Sequence, residues 1–204
     1  MKAIVKLVVM GSVGLFMVAS PLAAQDAQTK KVVSMIKKEI NASKTMSASV
    51  KKLAASTLMS LTFDKVVIKE TEKQNSQKVS LATIQQIDKS WREAEEETKE
   101  MKDRLNNTTA QLLKKFVASN PDVVEVFVMD NQGAVVGENN LTSDYWQGDE
   151  AKWKNSFKGG KGGVDVGEVE FDKSANANLQ QVSLPVVAKG GKIIGAITFG
   201  VKVN

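Results

Sequence analysis

The chain has 204 residues, with 28 lysines and arginines, 23 aspartates and glutamates, and neither cysteine nor histidine. Without cysteine it has no disulfides, no thiolate nucleophile and no zinc finger or iron–sulfur cluster. Without histidine it has no Ser-His-Asp triad and no imidazole that titrates near neutral pH or ligates a metal.

An export signal is predicted at the start of the chain. Lys2 and Lys6 supply positive charge, and residues 7–24 carry no charge and end in small residues. That order is typical of a secretory signal peptide, so we expect cleavage after Ala24 and a periplasmic protein. The alternative is an uncleaved anchor in the inner membrane, because an apolar run of this length just reaches membrane-spanning size.

Residues 25–119 form a predicted helical region. Apolar residues recur at helical spacing in two stretches, one from Val33 to Leu61 and one from Ile84 to Phe116. Ser80 is predicted to cap the second stretch. Between them, residues 64–78 change from apolar to polar, which predicts a broken or kinked connection.

Residues 92–104 are strongly charged and contain opposite charges at i,i+4 spacing, which favours an exposed helix face. The basic residues of this half are interleaved with glutamates. This pattern indicates solvated helix faces, and we expect no nucleic-acid partner.

Residues 120–204 form a predicted sheet domain. Strands are expected at residues 123–129, 134–137, 164–171, 179–188 and 192–203, with a turn at 130–133, a short helix at 149–157 and a glycine loop at 159–163. Gly190 and Gly191 suit a two-residue hairpin turn between the last two strands. The predicted fold class is α+β, with a five-stranded antiparallel sheet preceded by long N-terminal helices.

A family resemblance rests on segments spread over residues 121–203, whose order and spacing agree. They are residues 126–133, 143–146 with Trp153, the glycine-rich stretch to Asp165, 182–186 and 192–198. Together they resemble the extracytoplasmic single Cache (PDC) sensor domains. The resemblance implies a PAS-like sheet behind N-terminal helices, a small-molecule ligand and no cofactor or metal.

Sensors of this family usually continue through a second membrane helix into an output module, whereas this sequence ends at Asn204. The resemblance therefore implies a ligand-binding module that signals through a membrane-bound partner. The alternative is a structural or interaction module that binds no ligand and forms a homodimer through its N-terminal helices.

The candidate ligand-binding residues are Asp144, Tyr145, Trp146, Asp165 and Ser183. Tyr145 and Trp146 belong to a cluster of scarce aromatic residues, and Asp144 precedes them and could orient a polar group of the ligand. Asp165 and Ser183 lie on predicted neighbouring strands whose alternate residues face one side. Other interpretations stay open: Trp146 forms a buried helix stripe with later aromatics, Asp165 is a turn residue, and Ser183 is an ordinary strand serine.

Two further functions are not expected. Amino-acid binders of the larger family carry an arginine motif near the pocket, but the two arginines here, Arg92 and Arg104, both precede the sheet domain. An enzyme is not expected either, because histidine, the most frequent general acid or base, is absent and neighbouring carboxylates such as Asp144 and Asp149 have little specificity.

Overall fold

The computed structural model describes residues 27–173 and 176–203. The predicted signal peptide lies outside the described residues. Within them, no helix is both long and apolar enough to cross a membrane.

Within the described residues, seven α-helices precede the first strand. They are α1 (Ala27–Ala42), α2 (Ala48–Leu53), α3 (Met59–Thr62), α4 (Lys65–Ser76), α5 (Leu81–Arg92), α6 (Lys99–Asn106) and α7 (Thr108–Ser119), and a π-helical turn (Ala54–Leu58) joins α2 to α3. Ser80 caps α5 as predicted, because its hydroxyl accepts a hydrogen bond from the backbone N of Thr83 at 3.2 Å.

The connection between the two helical stretches is broken at residues 63–64 and 77–80, but the segment between these breaks forms α4. Asp64 caps the helix by accepting hydrogen bonds from the backbone N atoms of Val66 and Val67. The polar residues that suggested a break contact the sheet domain instead. Asn75, for example, donates to the carbonyl of Ile194 at 2.8 Å.

The exposed helix face predicted over residues 92–104 is interrupted. Helix α5 ends at Arg92, and α6 begins at Lys99, where Thr98 accepts a hydrogen bond from the backbone N of Met101 at 3.2 Å. Opposite charges at helical spacing stabilise an exposed helix by only a few tenths of a kcal/mol, so a cap inside the run outweighs them.

The sheet half confirms the predicted five-stranded antiparallel, PAS-like architecture. Its elements are β1 (Val123–Met129), β2 (Val135–Glu138), α8 (Ala151–Phe157), β3 (Asp165–Asp172), β4 (Ala177–Val187) and β5 (Ile193–Lys202). The strand order is β2-β1-β5-β4-β3, and every neighbouring pair is antiparallel. The turn between β4 and β5 has three residues, Lys189–Gly191, and both of its glycines have positive φ.

One face of the sheet is covered by helices and forms the main core. Val128, Ile197 and Leu184 lie opposite one another on β1, β5 and β4, so they share this face. They pack with wholly buried residues of the helical region, including Ile36 and Leu113. The apolar stripes of the N-terminal helices are therefore used within the chain to bury the sheet.

Candidate functional site

The opposite face of the sheet carries a row of polar residues. Glu138, Phe127, Thr198, Ser183 and Asp165 follow one another across the five strands, each directly opposite the next. Directly opposed residues on antiparallel strands point to the same side of a sheet. Four of the five positions in this row are thus polar on the face that α8 crosses.

Two of the predicted site residues, Asp165 and Ser183, are direct neighbours in this row. The hydroxyl of Ser183 lies 2.8 Å from that of Thr198, and Ser183 is fully buried. Asp165 accepts a hydrogen bond from the side chain of Asn155 on α8 at 2.6 Å. Both side chains are therefore engaged with neighbouring elements of the same face.

Helix α8 fills one end of this face with aromatic side chains. Trp153 and Phe157 stack with ring centroids 5.1 Å apart and pack against Phe127 and Met129 of β1. Trp153 also donates to the carbonyl of Asp130 at 2.9 Å. This part of the face is packed with aromatic side chains.

The other end of the same face holds a cavity of about 380 Å³. Its lining comes from β1, β3, β4, β5 and the start of α8, and consists of Glu125, Glu150, Lys152, Gly167, Glu168, Glu170, Phe171, Asp172, Leu179, Gln181 and Gly200. We call it the α8-face cavity. Gly200 lies opposite both Glu125 and Gln181, so its missing side chain leaves space between them. Phe171 is 60% exposed, so the cavity opens to solvent beside this residue.

The α8-face cavity is acidic. Five carboxylates line it against one ammonium group, that of Lys152. Lys152 forms an ion pair with Glu150 at 2.9 Å and lies 5.5 Å from the ring centroid of Phe127. Burial raises the pKa of Glu125, an effect that Lys152 and a hydrogen bond from Gln181 oppose. A positive charge placed beside Glu125 would stabilise its ionised form.

The other three predicted site residues lie elsewhere, in the loop that follows β2. Tyr145 is 4% exposed and packs with its ring centroid 5.6 Å from that of Trp91 on α5. Trp146 pairs with Ala134 through an isolated antiparallel bridge and donates from its ring nitrogen to the carbonyl of Gln132 at 2.8 Å. Trp146 is thus outside the aromatic stripe of α8.

Asp144 is half-buried in the same loop. Its side chain accepts hydrogen bonds from Ser143 at 2.8 Å and from Gln147 at 2.7 Å. The structure therefore divides the five predicted residues into two sets, Asp144, Tyr145 and Trp146 beside α5 and α6, and Asp165 with Ser183 on the α8 face. None of the five lines the α8-face cavity.

Arg104 precedes the sheet domain in sequence but contacts it in space. Its Nη2 atom donates to the hydroxyl of Tyr145 at 3.3 Å, and its guanidinium lies 5.5 Å from the centre of the Tyr145 ring. Helix α6 returns to the edge of β2, so a residue that is distant in sequence becomes a neighbour in space.

Sequence reasoning also missed Glu125, Lys152 and Gln181, which line the α8-face cavity. The alternation of β1 and β4 pointed to Glu125 and Gln181, but alternation identifies a face without saying which part of it stays open, and no sequence signal pointed to Lys152 on α8. As for metal ions, no group of three or more acidic side chains is placed to hold one in residues 27–173 and 176–203.

Comparison with known proteins finds matches among solved structures alone. No protein-family model and no curated protein matches the chain. The chain is similar to the sensor domain of the V. cholerae histidine kinase DctB, with 14% identity, a TM-score of 0.47, and coverage of 86% of this chain and 57% of that one.

Two other neighbours come from the Campylobacter jejuni chemoreceptor Tlp3. Its ligand-binding domain in complex with L-norvaline is 13% identical, with a TM-score of 0.43 and coverage of 90% of this chain and 63% of that one. Its sensory domain is 17% identical, with a TM-score of 0.37 and coverage of 83% and 64%. The chain spans less than two thirds of each of these three structures. All three are sensory or ligand-binding domains.

Proposed function

We propose that the chain is the exported, ligand-binding module of a sensor, and that it binds a polar small molecule in the α8-face cavity. The observation that carries this proposal is the cavity itself, about 380 Å³ in volume and bounded by four of the five strands. Ligand sites in proteins are typically clefts of about 300–1,000 Å³ with a few convergent polar groups. Glu125, Gln181 and Lys152 are such groups.

The charge of the lining selects the ligand class. With five carboxylates and one ammonium group, the cavity attracts molecules that carry positive charge. An ammonium group beside Glu125 would replace the water that burial has removed from this carboxylate. The proposed ligand is therefore a small molecule with at least one ammonium group.

The sensor role includes export and signalling through a membrane-bound partner. Support for export comes from the predicted signal at residues 1–24, and support for a partner comes from the resemblance to sensors whose output modules lie across the membrane. The competing role, a homodimer formed by the apolar stripes of the helices, has less support because residues such as Ile36 and Leu58 are wholly buried in the core of one chain.

A thermal-shift screen tests the binding proposal. Residues 25–204 are heated with a panel of primary and quaternary ammonium compounds and with carboxylic acids built on the same carbon skeletons. We expect one or more ammonium compounds to raise the melting temperature in a concentration-dependent way, because a ligand that binds the folded chain stabilises it. A panel in which only the acids stabilise the protein, or none does, would contradict the proposal.

Glu125→Gln provides the matched variant for any hit. It removes the half-buried charge while keeping the size of the side chain, so we expect affinity for the ammonium compound to fall about tenfold or more, which is about 1.4 kcal/mol. Glu96→Gln, an exposed position between α5 and α6, is the control and should bind as the unchanged chain does.

A further inference from the structure

Arg104 is a partly buried cation without an anionic partner among the described residues. No carboxylate there lies within ion-pair distance of its guanidinium, and its Nη2 donates to the neutral hydroxyl of Tyr145. Its Nε atom is inaccessible to solvent and has no hydrogen-bond acceptor. A buried donor on a charged group costs free energy when it is unpaired. The other arginine, Arg92, differs because it forms an ion pair with Asp88 at 2.9 Å.

A small cavity of about 110 Å³ lies beside Arg104, between α4, α6, the start of α7 and β2. We call it the Arg104 cavity. It is lined by Glu70, Lys73, Gln74, Gln77, Arg104, Asn107 and Val136. A water molecule occupies about 30 Å³, so the space fits three or four waters or one oxyanion with four oxygen atoms. It shares no residue with the α8-face cavity.

The charges of this lining favour an anion. Arg104 and Lys73 are opposed by the single carboxylate of Glu70. That carboxylate lies 3.6 Å from the Lys73 ammonium, whose side chain is 69% exposed, so the pair between them is a weak surface ion pair. An arginine fork matches the geometry of phosphate and carboxylate oxygens and binds them through two parallel hydrogen bonds.

We propose that the Arg104 cavity binds a small oxyanion. A terminal nitrogen of the Arg104 guanidinium donates to it, while Lys73 turns from Glu70 towards the anion. The site lies at the β2 edge of the sheet, next to the loop of Tyr145, and is independent of the proposed function of the α8-face cavity.

Nuclear magnetic resonance of the arginine Nε–Hε groups tests this proposal directly, because the sequence holds two arginines. The ¹⁵N-labelled chain, residues 25–204, is titrated with inorganic phosphate at pH 7 and constant ionic strength, and Arg92→Gln assigns the two signals. We expect the Arg104 signal to move saturably and the Arg92 signal to stay in place. Equal, linear shifts of both signals, or no shift at Arg104, would mean that water alone fills the cavity and would overturn the proposal.

Variants and a second anion sharpen the test. Glu70→Gln removes the competing carboxylate and should tighten phosphate binding at least threefold, whereas an unchanged or weaker affinity would contradict the assignment. Arg104→Gln should abolish saturable binding measured by calorimetry. Acetate distinguishes the source of the anion: saturation by both anions indicates a general oxyanion site, and saturation by phosphate alone indicates a phosphate site. The Glu70→Gln comparison holds even if Arg104→Gln fails to fold.

Discussion

Thr142 makes two hydrogen bonds to one oxygen of Glu138: its backbone N lies 3.0 Å and its hydroxyl 2.8 Å from Oε2. The same hydroxyl lies 2.8 Å from the carbonyl oxygen of Asp144. A hydroxyl has one proton and cannot donate fully to two acceptors. A proton on Glu138 resolves the conflict, because the carboxyl group then donates to Thr142 and Thr142 donates to Asp144.

The pKa of Glu138 agrees with this arrangement. Burial raises it from 4.5 to about 7, while the hydrogen bonds from Thr142 oppose the shift. Of the neighbouring charged groups, Glu125 raises this pKa further and Arg104 lowers it. The folded chain therefore holds the proton of Glu138 more tightly than the unfolded chain does.

We predict that the chain loses stability as the pH rises from about 4.5 to about 7. In this window the unfolded chain has released the Glu138 proton and the folded chain still binds it, so the free energy of unfolding falls with pH. Glu138 contributes at most about 3 kcal/mol to this loss of stability. Its contribution does not change with pH below or above the window. Urea unfolding at a series of pH values measures the slope.

Glu138→Gln isolates this contribution, because glutamine does not titrate. Glu125, whose pKa burial also raises, titrates in both proteins, so some pH dependence remains in the variant. The stability of the variant should therefore depend less on pH between 4.5 and 7 than that of the unchanged chain. Parallel pH profiles for the two proteins would show that Glu138 does not hold the proton.

A second prediction concerns Gln74, which links α4 to the turn after β1. Its amide nitrogen lies 2.9 Å from the Asp130 carboxylate and 3.3 Å from the carbonyl of Val135, and Asp130 is 3% exposed. Gln74→Ala leaves a buried carboxylate short of a donor, which we expect to cost about 2 kcal/mol of unfolding free energy. The exposed Gln85→Ala on α5 is the control and should change stability by less than about 0.5 kcal/mol. Equal losses of stability in the two variants would show that Gln74 does not stabilise the contact between α4 and the turn after β1.

A third prediction compares two glycines with positive φ. A Cβ at Gly133 would lie 2.4 Å from the Cα of Gly148, whereas a Cβ at Gly190 would meet nothing within 4 Å. Gly190→Ala should therefore cost only the backbone strain of about 1 kcal/mol. Gly133→Ala should cost at least twice as much, because two backbone segments must separate. Chemical denaturation measures the stability that each variant loses. Similar losses would mean that the turn at Gly133 can move away from Gly148 at little cost.

A fourth prediction concerns the boundary at residue 119 between the helical region and the sheet domain. Residues 120–204 alone leave uncovered the sheet face that includes Val128, Leu184 and Ile197, which the helices bury in the whole chain. We expect this fragment to lack a cooperative unfolding transition and to aggregate, because a single sheet with one bare apolar face is not stable in water. Circular dichroism during heating measures this, with residues 25–204 as the control. A cooperative transition in the fragment would show that the sheet domain folds alone.

The sheet was predictable because its signals are local. Residues 123–129 are β-branched and apolar, and the turn that follows ends in Gly133, whose φ is positive. The helical half was less predictable. Gln74 and Asn75 look like loop residues in sequence, but their amides bind the sheet domain, and such long-range contacts have no local pattern.

The sequence predicted which face of the sheet carries the candidate site, but not where on that face the cavity lies. Period-two alternation places Asp165 and Ser183 on one side of the sheet, and the structure pairs them there. Which part of that face is open depends on where α8 packs, and the sequence does not specify this. Arg104 lies 41 positions before Tyr145, so their contact depends on the path of α6 and is not a property of either segment.

Binding in the α8-face cavity is tested most directly by calorimetric titration of the strongest ammonium compound from the screen into the unchanged chain and into Gly167→Val. A Cβ at position 167 would lie 3.5 Å from the Cβ of Gln181, an ordinary contact, so the added side chain takes up cavity space without disturbing the strand. We predict at least tenfold weaker binding to Gly167→Val, with a melting temperature close to that of the unchanged chain. Equal affinity for the two proteins would contradict the account, because the ligand would then bind elsewhere.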